Sequence, residues 1–179
     1  METRSRTPKQ PSSGKPIVIY TDGGCIGNPG PGGYGAVIHT PTQRSEISGG
    51  VRLTTNNRME LTAAIAALLS LHESGDVMLY SDSRYLVDGM TLGWAEKWRV
   101  NRWKRSGGGK AINPDLWEQL LNLCCARRVT FAWVAGHSGN PENERCDRLS
   151  VQAAKQKGLP PDTVYEQEHA PKINQHKLF

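Results

Sequence analysis

Apolar and polar positions along the chain fall into short runs of two kinds. Residues 16–20 (PIVIY) are continuously apolar and β-branched, the pattern of a buried strand. Residues 34–40 (YGAVIHT) read as a second strand and 46–53 (EISGGVRL) as a weaker third, with a bulge expected at Gly49 and Gly50. Spacers of hairpin length make these three antiparallel neighbours. Residues 55–72 are rich in Ala and Leu and predict a helix ending near Gly75. A fourth strand at 77–80, reached through that helix, should lie parallel to the first. A short helix follows at 83–90. Asn113 and Pro114 supply a cap and a proline at the first helical position for a helix through Arg127. Residues 129–134 (VTFAWV) make a fifth strand. Asn140 and Pro141 repeat the cap-plus-proline signal, opening a last helix to Lys157 that Gly158 stops. The order βββαβααβα predicts an α/β domain with a mixed five-stranded sheet, three antiparallel strands then two parallel, flanked by helices.

This periodic region spans residues 15–158. Residues 1–14 are polar, with Pro, Ser and Gly interleaved, and read as a disordered leader. Residues 159–179, opening with Pro160 and Pro161, read as a loosely held C-terminal tail. A length of 179 residues fits one domain with a real core. Cys25, Cys124, Cys125 and Cys146 form no C-x-x-C pair, and the adjacent two are poor geometry for a disulfide or a zinc site. A reduced compartment fits best. No run approaches the roughly 18 apolar residues of a membrane span, and no signal-peptide core follows Met1. The expectation is a cytoplasmic monomer with no membrane contact and no obligate protein partner.

Lys and Arg number 22 against 17 acidic residues, a net charge of +5. That surplus is modest, but it is concentrated. Between residues 94 and 110 stand six cations (Lys97, Arg99, Arg102, Lys104, Arg105, Lys110) and one acid, Glu96. Trp94, Trp98 and Trp103 alternate with them. Cations hold phosphates while tryptophans stack on sugars or bases, so the segment is a candidate polyanion dock. A packed helical face would space Trp94 and Trp98 in the same way.

The chemistry should sit where carboxylates leave the predicted elements. Asp22 follows the first strand (VIYTD) and Asp82 follows the fourth (MLYSD). If these strands are parallel neighbours, both side chains emerge at one carboxyl edge, where α/β sheets place their ligands. Glu60 lies in the first turns of the long helix over Ala63, Ala64 and Ala67, and Asp147 lies inside the last helix beside Cys146 and Leu149. Four carboxylates brought together repel unless cations neutralise them, and an oxygen-only set suits Mg²⁺ or Mn²⁺ rather than zinc. Two such ions about 4 Å apart are the usual device for in-line attack on a phosphodiester. His137, on a glycine-flanked loop (VAGHSGN) leading to Asp147, is a candidate for proton transfer. Two other motifs do not hold. GPGGYG at 30–35 leads into a strand rather than a helix, and GGGK at 107–110 lacks the remainder of a P-loop.

Four blocks, TDGGCIGNPGPGGYGA, TTNNRMEL, SDSRYL and WVAGHSGNPENERCDRLS, resemble in order and spacing the signature blocks of the type 1 ribonuclease H family, closest to the bacterial ribonuclease HI group. The resemblance spans roughly residues 16–156. It implies an RNase H-like fold with a basic handle insertion. It also implies hydrolysis of the RNA strand of RNA–DNA hybrids, assisted by two Mg²⁺ ions (Mn²⁺ possible), to 5′-phosphate and 3′-hydroxyl ends. It places metal-binding catalytic carboxylates at Asp22, Glu60, Asp82 and Asp147, the catalytic histidine at His137, and a nearby acid at Glu144. Asn28, Asn56 and Asn57 match positions that contact the hybrid's minor groove, where the 2′-hydroxyls are displayed. Thr55 resembles a DNA-phosphate contact. The segment 94–110 resembles the handle, with Trp94, Lys97, Trp98, Arg99, Arg102, Trp103 and Lys104 toward the substrate. Two positions depart from the pattern: Gly24 stands where Ser is usual, and Arg84 where Gln is common, trading a base-edge bond for a phosphate contact. Two alternatives are a nuclease of the same superfold acting on DNA, and a hybrid-binding module without turnover. Comparable cleavage of a ribose-free duplex marks the first; a defective carboxylate set would mark the second.

Overall fold

The computed structural model describes residues 15–105 and 107–170; the expected leader at 1–14 and the last nine residues of the expected tail lie outside the described residues. Five strands, β1 (Ile17–Cys25), β2 (Gly30–His39), β3 (Arg44–Thr54), β4 (Val77–Ser81) and β5 (Val129–Trp133), form one sheet in the order β3-β2-β1-β4-β5. β1 pairs antiparallel with β2 and parallel with β4, β2 pairs antiparallel with β3, and β4 pairs parallel with β5. The helices are α1 (Asn56–Leu69), α2 (Arg84–Thr91), α3 (Trp94–Val100), α4 (Pro114–Ala126), α5 (Pro141–Ala154) and α6 (Thr163–His169). The mixed sheet and its strand directions are those expected.

Alternation along the strands gives each sheet face its own core. Ile17, Ile19, Ala36, Ile38, Val77, Leu79 and Phe131 point to the side carrying α1, α2 and α4, where Leu61, Ala64, Leu68, Leu86, Trp117 and Leu120 complete the main cluster. Val37 points the other way and meets Cys146 and Leu149 of α5, with Tyr20 against them. β1 is therefore sandwiched, as a continuously apolar run requires.

Several boundaries differ from expectation. β1 continues to Cys25, pairing with Gly32, so Asp22 lies within the strand rather than after it. The bulge falls not at Gly49 and Gly50, which pair regularly with Tyr34 and Gly33, but where Gly30 opposes Thr54 and Gly32 opposes Val51. Asn113 occupies the cap position of α4 without capping it: its φ is 58°, and its Oδ1 faces Arg58 Nη1 at 3.5 Å. Asn140 caps α5 as expected, accepting from the backbone N–H groups of Glu142 and Asn143.

The largest correction is the tail. Residues 159–170 are not loosely held: they carry α6 and fold back on the domain. The Arg52 N–H donates to the Pro160 carbonyl at 2.9 Å. Buried Arg58, in the first turn of α1, holds Asp162 at 2.6 Å and Asp115 of α4 at 2.8 Å, and Thr54 Oγ1 donates to the same Asp162 carboxylate at 2.7 Å. Among the described residues no helix is long and apolar enough to cross a membrane.

Candidate active site

Parallel pairing of β1 with β4 sets Thr21 opposite Ser81, so the next residue of each chain, Asp22 and Asp82, emerges at the same edge. α1 reaches that edge because β1 has no side chain at Gly23: a Cβ there would overlap the Met59 and Glu60 backbone. The close approach delivers Glu60. A carboxylate oxygen from each of Asp22, Glu60 and Asp82 lies within 4.8 Å of the others. On the opposite face, β2 is glycine where α5 crosses it; a Cβ on Gly35 would stand 2.6 Å from the Cys146 carbonyl. The GPGGYG run is thus a docking groove for a helix. α5 presents Asp147 and Ser150, which line with Asp22 and Glu60 a cleft of about 300 Å³.

Three of the four expected carboxylates therefore form a tight cluster, and Asp147 borders the same cleft outside that group. Ser150 joins them, its Oγ 3.1 Å from Asp22 Oδ2 and 2.9 Å from the Asp147 carbonyl. The sequence reading missed Ser150, although it stands three residues beyond Asp147 on the same helical face. Asn143, also missed, is buried at the start of α5 and donates from Nδ2 to Asp82 Oδ2 at 3.1 Å.

The electrostatics of the cluster fit a cation. Burial, then the negative charges of Asp82 and Asp147, push the Asp22 carboxyl up to about 6, against the opposing pull of the Ser150 hydroxyl. Burial, followed by Asp22 and Asp82, holds Glu60 well above the usual carboxylate range. Glu60 Oε2 is buried without a hydrogen-bond partner among the described residues. An unpartnered buried carboxylate oxygen beside two further carboxylates, with no Cys or His in the set, fits a hard divalent cation.

His137 sits on the exposed loop between β5 and α5 with a positive φ of 51°. Its neighbour Gly136 brings the loop against the cluster, since a Cβ there would lie 2.7 Å from Asp82 Oδ2. Glu144 lies in the first turn of α5.

The expected substrate residues divide. Asn28 and Asn56 tie the end of β1 and its turn to the start of α1: the Cys25 N–H donates to Asn56 Oδ1 at 2.8 Å and the Asn56 N–H to Asn28 Oδ1 at 3.2 Å. Asn57 is exposed in the first turn of α1, and Thr55 holds the N-cap position without a side-chain cap bond. Arg84 opens α2 with its guanidinium carbon 3.8 Å from the centroid of the Trp133 ring. In the basic segment, Trp98 and Trp103 pack against the main core, while Trp94 is 36% exposed. Arg99 is engaged by Glu96 at 2.7 Å, whereas Lys97, Arg102 and Lys104 are exposed.

A cluster of partly buried carboxylates at the carboxyl edge of a mixed sheet, able to hold a divalent cation, defines a candidate active centre on an α/β scaffold. Comparison with known proteins narrows the class. The RNase H family model matches residues 14–155. A ribonuclease H of Rippkaea orientalis (strain PCC 8801 / RF-1) is 58% identical over 154 residues, covering 86% of this chain and 94% of the relative. The ribonuclease HI of Synechocystis sp. (strain ATCC 27184 / PCC 6803 / Kazusa) is 59% identical over 138 residues, covering 76% and 86%. Among solved structures, LC9-RNase H1 superposes with a TM-score of 0.68 at 34% identity, covering 87% of this chain and 81% of that one. LC11-RNase H1, solved in complex with an RNA/DNA hybrid, superposes with a TM-score of 0.60 at 27% identity, covering 77% and 96%. The chain belongs to the RNase H family and is an enzyme of the ribonuclease H class.

Proposed function

We propose that this enzyme binds RNA–DNA hybrids and hydrolyses their RNA strand internally, leaving 5′-phosphate and 3′-hydroxyl ends. The observation that carries the reading is the convergence of Asp22, Glu60 and Asp82 within 4.8 Å around the unpartnered Glu60 Oε2. Asp22, Glu60, Asp82 and Asp147 would hold two Mg²⁺ ions (or Mn²⁺), which supply an activated water and neutralise the leaving 3′ oxygen. Ser150 orients Asp22, and Asn143 orients Asp82. His137, on its exposed loop, moves a proton between the reacting oxygens and solvent. Its replacement by Ala is expected to slow turnover by about 10²-fold without abolishing it, since positioning and charge neutralisation persist. An unchanged rate at every pH would remove His137 from the chemistry.

The wall of the cleft supports the choice of substrate. Asn56 lines it, Asn28 accepts from the Asn56 N–H and Asn57 is the next, exposed residue of α1, and their amide groups read 2′-hydroxyls in the minor groove. Thr55 leaves its hydroxyl free of the helix cap and takes a phosphate of the DNA strand. Lys97, Arg102 and Lys104, with Trp94, grip the same strand from the 94–110 segment, and Arg84 takes a phosphate. The catalytic unit of residues 15–158 is extended by α6. The four cysteines are not joined in disulfides, which supports a reducing, cytoplasmic setting, and the enzyme acts as a monomer.

The test is a labelled hybrid incubated with and without Mg²⁺, beside single-stranded RNA and duplex DNA. RNA-strand cleavage only in the hybrid and only with the cation is expected, with products that carry a terminal 5′-phosphate. Comparable cleavage of duplex DNA, or cleavage in excess chelator, would overturn the proposal.

A further inference from the structure

Trp133 lies outside every residue set discussed for substrate or metal, yet it touches both. It is the last residue of β5, opposite Ser81 of β4, where the two strands run out beside the carboxylate cluster. Its indole Nε1–H donates to the Asp82 backbone carbonyl at 3.0 Å, and the Val134 N–H donates to the Ser81 carbonyl at 3.1 Å. The Val134 bond carries the backbone ladder one step past Trp133, and the indole bond, made by a side chain, falls on Asp82, the residue that carries a cluster carboxylate. Trp133 is 40% exposed, and the Arg84 guanidinium lies over its ring at 3.8 Å. The Arg84 side chain is 62% exposed, and its nearest carboxylate, Asp88, stands 4.0 Å away, the outer limit of an ion pair.

A guanidinium's N–H donors all lie in its own plane. Stacked on a ring, it gives up one face and keeps the donors at its edge, with much of its conformational freedom already removed. Planar donors at a fixed height suit a phosphate. Arg84 follows Asp82 by two residues, so the phosphate within its reach belongs to the strand that crosses the carboxylates. We infer that Trp133 is a positioning residue with two duties: its N–H fixes the Asp82 backbone, and its ring carries Arg84 to a phosphate of the cleaved strand. This rests on the proposed hybrid substrate.

The experiment compares Arg84→Gln, Trp133→Leu and their combination in an Asp22→Asn background, where hybrid is bound but not consumed. Hybrid affinity is read by fluorescence anisotropy in Mg²⁺ across a salt series. Each single change should weaken binding and lower the log–log salt slope by the value of one phosphate contact, roughly 0.7 to 0.9. The combination should lower it no further, because both remove the same contact. A slope unaffected by Arg84→Gln, or losses that add in the combination, would overturn the platform. Trp133→Phe keeps the ring and deletes the N–H. In the otherwise wild-type enzyme it should leave KM and the salt slope in place and lower kcat roughly three- to tenfold through Asp82. An unchanged kcat would overturn the Asp82 duty, and melting curves for each variant separate misfolding from either effect. If the wild-type enzyme left hybrids uncut, the hydrolase reading would fall, while the anisotropy slopes would still decide the platform.

Discussion

Asp22 shows what one buried carboxylate does to the balance between fold and function. Its ordinary value is 3.8, and burial with its acidic neighbours raises it to about 6 in the folded protein. Between these values the native state keeps a proton that the unfolded chain has lost, so stability falls as pH rises through the window. Above it the full penalty is present, at most about 3 kcal/mol; below about pH 4 it is absent. Asp22→Asn removes the charge and keeps the shape. In excess chelator the variant should therefore melt higher than wild type at pH 8, by roughly 5–10 °C, and match it at pH 4. Mg²⁺ should stabilise the wild type more than the variant, and the variant should not cleave hybrid. Thermal unfolding followed by circular dichroism at the two pH values checks this, and a lower midpoint for the variant at pH 8 would contradict the repulsion. Stability and the proposed activity pull in opposite directions at this residue, because the carboxylate repulsion that costs stability is what a bound cation would relieve.

At the scale of elements, the legible parts were those whose own residues carry the signal. β1, α1 and α5 announce themselves through a β-branched run, an Ala-rich stretch and an Asn–Pro cap. The bulge, the uncapped start of α4 and α6 did not, because each is fixed by partners distant in sequence. α6 is the clearest case. Its seven residues, TVYEQEH, are too short to show a period, and the segment is held by side chains of β3, α1 and the 94–110 region. Arg52 binds Glu166, Lys110 binds Glu168, and Arg58 binds Asp162. Burial opposes the Asp162 charge, but the Arg58 and Thr54 hydrogen bonds outweigh it and hold the carboxyl below its usual range. The stability it contributes is thus present above the ordinary carboxylate range and is lost as pH falls through its lowered value. Asp162→Asn strips half the partnership from a buried guanidinium and should cost about 2–4 kcal/mol at pH 7, less as the medium is acidified. A stop after Gly158 should destabilise at least as much. Urea unfolding measures both, and a truncated chain as stable as the whole would restore the loose-tail reading.

Across the whole molecule, the site was legible as a set of residue types and not as distances. Asp22, Glu60, Asp82 and Asp147 could be named from strand ends and helix faces, but their approach depends on glycines of β1 and β2 that let α1 and α5 sit close. Trp133 was invisible because a tryptophan at a strand end reads as core. The charge distribution was legible in amount and only partly in direction. The 94–110 segment carries six cations, yet Arg99 turns to Glu96 and Lys110 reaches Glu168. A cation already facing a carboxylate releases few counterions when nucleic acid docks, since its field is partly cancelled. Neutralising Lys97, Arg102 and Lys104 together should therefore raise KM for hybrid and lower the log–log salt slope by roughly 2 to 3. Arg99→Ala should change the slope by much less than one contact and act mainly on stability. Initial rates at subsaturating hybrid across a salt series measure both slopes. If Arg99→Ala shifted the slope as much as any one of the three, the internal ion pair would not be what decides which cations meet phosphate. Long-range attraction would then depend on the segment's total charge rather than on the orientation of its side chains.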